Sequence, residues 1–302
     1  MNWYNDYGSE WRDIIKTVAG ETKRSKLMIE KDTIQSMFLL ELSKQNFPFV
    51  FKGGTSLSKV YNLIDRFSED IDLSVNRKLT ESEKKTSKQI IINVASQLGL
   101  TLENPERIKS RYEYNMYIFT YNSLFSEVPM QIIIETSYYQ AVYPVEEREV
   151  TSYVGHFCKE RDITLPIEFA ALSFMMNVQS LERTFIDKVF AICDYRIQNM
   201  RDRDSRHLYD ICKLINNVEF NNNFDELVDV VRDDRMLSKN NPSANLNYNI
   251  PQMLQQIIDS RFFESDYKNV TQKLLYEDMD YDYAVDNGIA LLAKSDVFIY
   301  KK

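Results

Sequence analysis

Phe51-Lys52-Gly53-Gly54-Thr55-Ser56-Leu57-Ser58-Lys59, followed by Arg66-Phe67-Ser68-Glu69-Asp70-Ile71-Asp72-Leu73, reads as a strand, a glycine turn opening a helix, and a second strand bearing two acids. The apolar run Phe47 to Phe51 ends at Gly53-Gly54, the pattern of a buried strand and a tight turn. Between Thr55 and Ile64, the residues Leu57, Val60, Tyr61 and Ile64 share one helical side. Asp70 to Val75 then alternates acid and apolar with the period of a half-buried strand, which puts both carboxylates on one face. Glycines let a backbone approach a phosphate closely, and a helix start offers free N–H groups to it. Thr55, Ser56 and Lys59 lie within one turn, so hydroxyls and an ammonium can converge on a phosphate tail. Two carboxylates on one face suit Mg²⁺, a hard ion that takes oxygen ligands and bridges to phosphates. Glu135, closing the apolar run Gln131-Ile132-Ile133-Ile134, is a candidate third acid, with an ion pair to Arg66 or Arg111 as the alternative. Arg66 and Ser68 precede the acid pair, where they either position phosphates or brace the loop against the strand.

Working outward, Ile34, Met37, Phe38 and Leu42 mark a helix with Asp32 or Thr33 as its N-cap. Ser82 to Leu98 is a second helix, stopped by Gly99. Tyr112 to Tyr121 and Met130 to Tyr139 are β-prone runs. After Thr151 the texture turns helical, clearest at Leu181 to Gln198, capped by Ser180, and at Ser205 to Ile215. The fold expected is α+β (α/β): a domain over residues 1–160 with a mixed sheet and flanking helices, then a mostly helical domain over 161–302. On the helix from Leu181, Lys188 has Phe185, Val189 and Ile192 around it, so its ammonium leaves the apolar side. Such a charge needs a partner: a triphosphate, or a structural bridge to Asp210. Asp210 in turn has Arg206 one turn back, the spacing of an ordinary ion pair. His207 reads as structural.

The chain has 302 residues and a formal charge of −8, with 37 basic and 45 acidic residues. That balance argues against a broad nucleic-acid footprint but allows a local basic groove, for which Lys52, Lys59 and the run Arg196 to Lys213 are candidates. Two histidines and three cysteines without a CxxC spacing leave little for a zinc site, a disulfide framework or a Ser–His–Asp triad. No apolar stretch reaches membrane-spanning length and residues 1–10 lack a secretory core, so a cytoplasmic protein without membrane contact is expected. The nineteen tyrosines are too scattered to read as a base-stacking platform. The usable chemistry is that of carboxylates, lysines and hydroxyls.

The Gly-Gly-Thr and Asp-x-Asp elements resemble the first motif of the nucleotidyltransferase superfamily. In their particular form, "FKGGTSLSKVY" and "RFSEDIDLSV", they resemble the AbiEii/AbiGii toxin family. "IEKDTIQSMFLLEL" (Ile29 to Leu42) fits the helix before the motif, and "LERTFIDKVFAI" (Leu181 to Ile192) and "RDSRHLYDICKL" (Arg203 to Leu214) fit the later helical motifs. The resemblance implies a polymerase-β-like nucleotidyltransferase fold, two Mg²⁺ ions, a nucleoside triphosphate donor and a toxin–antitoxin setting. It further implies an antitoxin from a neighbouring gene and an acceptor hydroxyl at the 3′ end of tRNA. Asp70 and Asp72 carry over as metal ligands, and Lys188 and Asp210 as the lysine and acid that the helical domain brings to the cleft. Expected with them are Glu135 at the second metal or as proton acceptor, and Gly53, Gly54, Thr55, Ser56, Lys59, Arg66 and Ser68 around the phosphates. Two other readings stay open: transfer to a protein or small-molecule hydroxyl, and a catalytically silent nucleotide-binding module.

Overall fold

The computed structural model describes residues 7–108, 112–164 and 173–300. It divides into two compact units, one of residues 1–62 and 68–179, the other of residues 63–67 and 180–302. No helix among the described residues is long and apolar enough to cross a membrane.

The first unit opens with α1 (Gly8–Thr22) and α2 (Lys26–Ser43). Strand β1 (Phe49–Lys52) runs into α3 (Gly53–Lys59), and β2 (Asp70–Val75) follows. After these come α4 (Glu81–Gln97), β3 (Thr101–Leu102), β4 (Tyr114–Tyr121), β5 (Met130–Ser137), β6 (Val145–Thr151), α5 (Tyr153–Glu160) and β7 (Ser173–Gln179). The strands form one mixed sheet in the order β3-β4-β5-β2-β1-β7-β6. β1 and β2 are antiparallel with Lys52 opposite Asp72, and β2 and β5 are parallel with Asp72 opposite Glu135. The expected α+β architecture is therefore present, with two corrections. Helix α3 ends at Lys59, short of Ile64, and Asn62 between them takes φ +51°. Helix α2 starts at Lys26 after Ser25, which leaves Asp32 and Thr33 inside the helix rather than at its N-cap. Helix α4 starts on a capping box in which Thr80 and Glu83 satisfy each other's backbone N–H groups.

β7 departs from the helical texture expected after Thr151, and its partner β6, just before that point, was not read as a strand. β6 and β7 pair antiparallel from Val145–Gln179 to Thr151–Ser173 and extend the sheet past β1. β6 reads Val-Glu-Glu-Arg-Glu-Val-Thr, and that charge suits an edge strand, where it deters further pairing. Helix α2 also differs from a one-sided amphipathic helix, because it is buried nearly all round. Its polar residues are satisfied inside: Glu30 accepts from Ser123 Oγ at 2.5 Å and from the Leu124 N–H at 2.6 Å, and Asp32 accepts from the Tyr153 N–H at 2.8 Å. Ile71, Leu73, Ile132, Ile134, Tyr117 and Phe119 fill one sheet face and pack into the core with Phe38 and Leu42.

The second unit is helical: α6 (Leu181–Ile197), α7 (Arg206–Leu214), α8 (Asn222–Met236), α9 (Ile250–Asp259), α10 (Tyr281–Asp286) and α11 (Ile289–Ala293). Ser180 caps α6 by accepting from the Arg183 N–H. Phe185, Phe190, Phe224 and Phe298 meet in one aromatic core. The short segment 63–67 joins this unit through the Phe67 N–H to Leu274 carbonyl bond and the Tyr276 N–H to Asp65 carbonyl bond, both 2.9 Å.

Candidate active site

In the first unit the acids stand on the sheet face opposite the core. Asp70 and Asp72 are half-buried while Ile71 and Leu73 between and after them are fully buried. Glu135 is the cross-strand partner of Asp72, so the register brings the third expected acid beside the pair. Glu135 Oε1 accepts a 2.8 Å hydrogen bond from the Tyr114 hydroxyl. Burial, that bond, and the charges of Asp72 and Asp70 all raise the Tyr114 phenol above its ordinary range, so this tyrosine senses all three acids. Tyr114 escaped the sequence reading, because its neighbour across the sheet is set by the β4–β5 register.

The glycine turn abuts this face. Gly53 has φ +79°, and a methyl group placed on it falls 2.0 Å from Asp72 Oδ2. Only glycine lets β1 end against that carboxylate. The neighbouring hydroxyls hold the turn in shape: Thr55 Oγ1 lies 2.9 Å from Ser68 Oγ and donates to the Asp70 carbonyl, and Ser56 Oγ donates to the Gly53 carbonyl at 2.8 Å. Both side chains are buried, so what the turn offers a ligand is backbone.

Lys59 goes elsewhere. It is buried in an ion pair with Asp32 of α2 and donates to the Asp32 carbonyl at 2.8 Å and to Ser36 Oγ at 2.6 Å. Burial pulls its ammonium below the ordinary lysine range against the opposing pull of Asp32. The sequence reading missed Lys31, a residue of the same helix that is also buried. Burial lowers its ammonium too, while Glu69 and Asp70 favour its charge.

In the second unit, Arg66, Lys188 and Asp210 come together. Arg66 Nε and Nη2 grip Asp210 Oδ1 and Oδ2 at 2.7 and 2.8 Å, and Lys188 Nζ lies 2.7 Å from Oδ2. All three are buried. Burial pushes the Asp210 carboxyl up, but Arg66 and Lys188 outweigh it and hold the group well below the usual carboxylate range. The Lys188 ammonium is lowered by burial and supported by Asp210. His207 Nδ1 is 3.5 Å from Lys188 Nζ, and burial and that ammonium bring its pKa down to about 4, so it is neutral at pH 7. The Arg206–Asp210 pair suggested by spacing does not form, because Arg206 binds Asp204 at 2.9 Å. Arg196 and Arg201 stack on Phe262, and Lys213 binds Glu277, so much of this basic run has partners within the unit. Arg111 lies outside the described residues.

Among the described residues no three His, Cys, Asp or Glu side chains stand together as a ready-made metal cluster. The donor set nevertheless fits Mg²⁺, which commonly takes one or two carboxylates and fills its remaining positions with water and substrate phosphates. Asp70 and Asp72, with Glu135 beside them, are the residues that would hold it.

Comparison with known proteins adds the family. Residues 37–287 match the family described as nucleotidyl transferase AbiEii toxin, type IV toxin–antitoxin system. Among solved structures, JHP933 from Helicobacter pylori is 17% identical, with a TM-score of 0.47, over 91% of this chain and 93% of that one. MenT4, a nucleotidyltransferase toxin from Mycobacterium tuberculosis H37Rv, is 16% identical, with a TM-score of 0.49, over 95% of this chain and 88% of that one. No curated protein matches the sequence significantly.

Proposed function

We propose a reaction from one premise: the chain belongs to the AbiEii family of nucleotidyl transferase toxins of type IV toxin–antitoxin systems. It is a nucleotidyltransferase, so its donor is a nucleoside triphosphate, and its family setting implies an antitoxin partner. In the proposed reaction an acceptor hydroxyl oxygen bonds to the α-phosphorus, the bond from that phosphorus to the bridging oxygen breaks, and pyrophosphate leaves. Glu135 takes the hydroxyl proton, and Tyr114 fixes the carboxylate that receives it. Backbone N–H groups of the Gly53-Gly54 turn orient the phosphates, with Thr55, Ser56 and Ser68 keeping the turn in shape. Mg²⁺ on Asp70 and Asp72, two ions in the full arrangement, would supply charge neutralisation on the phosphates. The family resemblance assigns Lys188 to the charge of the triphosphate; in the second unit its ammonium is bonded to Asp210, which Arg66 also grips.

The acceptor we assign is the 3′ end of tRNA, as the family resemblance implies. The observation that carries the reading is the register placing Glu135 against Asp72, two residues along the face from Asp70 and hard against a turn that only glycine can make. The test supplies each α-³²P nucleoside triphosphate with Mg²⁺ and total cellular RNA. A labelled tRNA-sized band is the expected result. Label on protein, or on a small molecule, would transfer the acceptor assignment to that class. No transfer in any fraction, with antitoxin absent, would contradict the enzyme reading.

A further inference from the structure

Three exposed tyrosines lie at the adjoining ends of β4 and β5, beside the acids. Tyr112, Tyr114 and Tyr139 are 60%, 44% and 58% exposed. In the β4–β5 register Met116 pairs with Glu135 and Tyr114 with Ser137, and the Tyr138 N–H to Glu113 carbonyl bond at 2.6 Å continues the ladder one step further. Side chains of paired residues share a face, so Tyr114 lies on the Glu135 side, and exposed Tyr112 stands two residues before it, just ahead of the strand. Beyond the end of β5, Tyr138 is buried and bonded to Ser87 Oγ at 2.9 Å, while the next residue, Tyr139, is exposed. Half-buried Met116 and Ile133 line the same face beside Glu135 and Asp70.

We propose that Tyr112, Tyr114 and Tyr139 form a stacking platform for unpaired bases of a single-stranded acceptor end leading to Asp70 and Asp72. The inference rests on the nucleotidyl-transfer reading of that face. Exposed aromatic rings on an open sheet are the usual means of holding unpaired bases. Stacking also suits this surface, because it grips the uncharged base, whereas the neighbouring acids repel phosphates. Successive same-face positions are about 6.8 Å apart, twice the roughly 3.4 Å per-nucleotide rise of a stacked strand. Three such rings therefore fit a strand of several nucleotides better than the single base of a donor. The Tyr114 hydroxyl bond to Glu135 fixes one ring and ties the platform to the acid that takes the acceptor's proton.

The experiment uses the full chain and a single-stranded RNA oligonucleotide with 2-aminopurine near its 3′ end, without triphosphate. The wild type should bind and quench the probe. Tyr112→Ala and Tyr139→Ala, each with an unchanged circular dichroism spectrum, should weaken binding about tenfold, the scale of one lost base stack. Tyr139→Phe should bind like the wild type. Unchanged binding in both alanine variants, or equal binding of blunt duplex RNA, would overturn the platform. So would displacement of the oligonucleotide by triphosphate alone, since the rings would then serve the donor base. Asp72→Asn separates the two readings: it should lose transfer and keep binding. RNA labelling that ignores the tyrosines sinks the platform and leaves the transfer reading intact. Tyrosine-dependent binding without any transfer sinks the transfer reading and leaves the platform.

Discussion

Asp210 shows how few residues decide a site. Its carboxylate is fully buried and answers two cations, Arg66 and Lys188, so the trio holds one net positive charge. Asp210→Asn leaves both cations with weaker partners in a dry place, and should cost about 3–5 kcal/mol in urea denaturation. His207 supplies a pH signature. Its folded pKa is about 4 against an ordinary 6.5, so the unfolded chain binds the proton more readily than the folded one. Its contribution to stability is fully present above pH 6.5 and is lost as pH falls towards 4. At about 1.4 kcal/mol per pKa unit the loss should be on the order of 3 kcal/mol. His207→Gln should flatten that part of the stability–pH curve. Gly53 is the third such residue: Gly53→Ala meets both a positive φ and a methyl 2.0 Å from Asp72 Oδ2. It should destabilise by about 1–3 kcal/mol and reduce transfer more than the stability loss explains, by displacing the Asp72 carboxylate.

At the scale of elements, what the sequence revealed was local. Asp70 and Asp72 alternate with Ile71 and Leu73, and that period alone places them on one face. The adjacency of Glu135 needs the parallel β2–β5 register, which no local pattern carries; the family resemblance and an acid in an apolar run pointed to it instead. Tyr114 had neither signal. Lys59 shows the opposite failure. Helical spacing correctly put it one turn from Thr55 and Ser56, but spacing does not say what occupies the space it faces, and that is Asp32 of α2. For Lys188, the apolar stripe foretold a buried ammonium that needs a partner, and of the two offered, a triphosphate or Asp210, the described residues supply Asp210. The Lys59–Asp32 pair predicts a non-additive cycle. Asp32→Ala should cost about 3–5 kcal/mol by stranding the ammonium, and Lys59→Met with Asp32→Leu should cost less than the sum of the single changes. β6 was missed because a charged edge strand lacks the apolar alternation that marks a strand with one buried face. β7, which lies between β1 and β6, was missed because Ser173 to Gln179 mixes polar and apolar residues without a clear period of two.

For the molecule as a whole, a net charge of −8 limits how it can hold a polyanion. Much of the basic run from Arg196 to Lys213 is occupied by Phe262, Asp204 and Glu277, which leaves fewer cations for phosphates. Binding of an RNA acceptor should therefore depend weakly on salt, with a log–log slope nearer −2 than the roughly −10 of a strongly basic binder. A steep slope in a salt titration by fluorescence anisotropy would show that phosphate contacts dominate. The proposed reaction centre is the set of carboxylates facing the Gly53 turn. It is tested most directly by comparing the initial rate of ³²P transfer, with Mg²⁺, for wild type and Asp72→Asn at matched circular dichroism spectra. The rate should fall at least about 100-fold, the scale of losing one group that stabilises transition-state charge. A variant that transfers within a few-fold of wild type would contradict it.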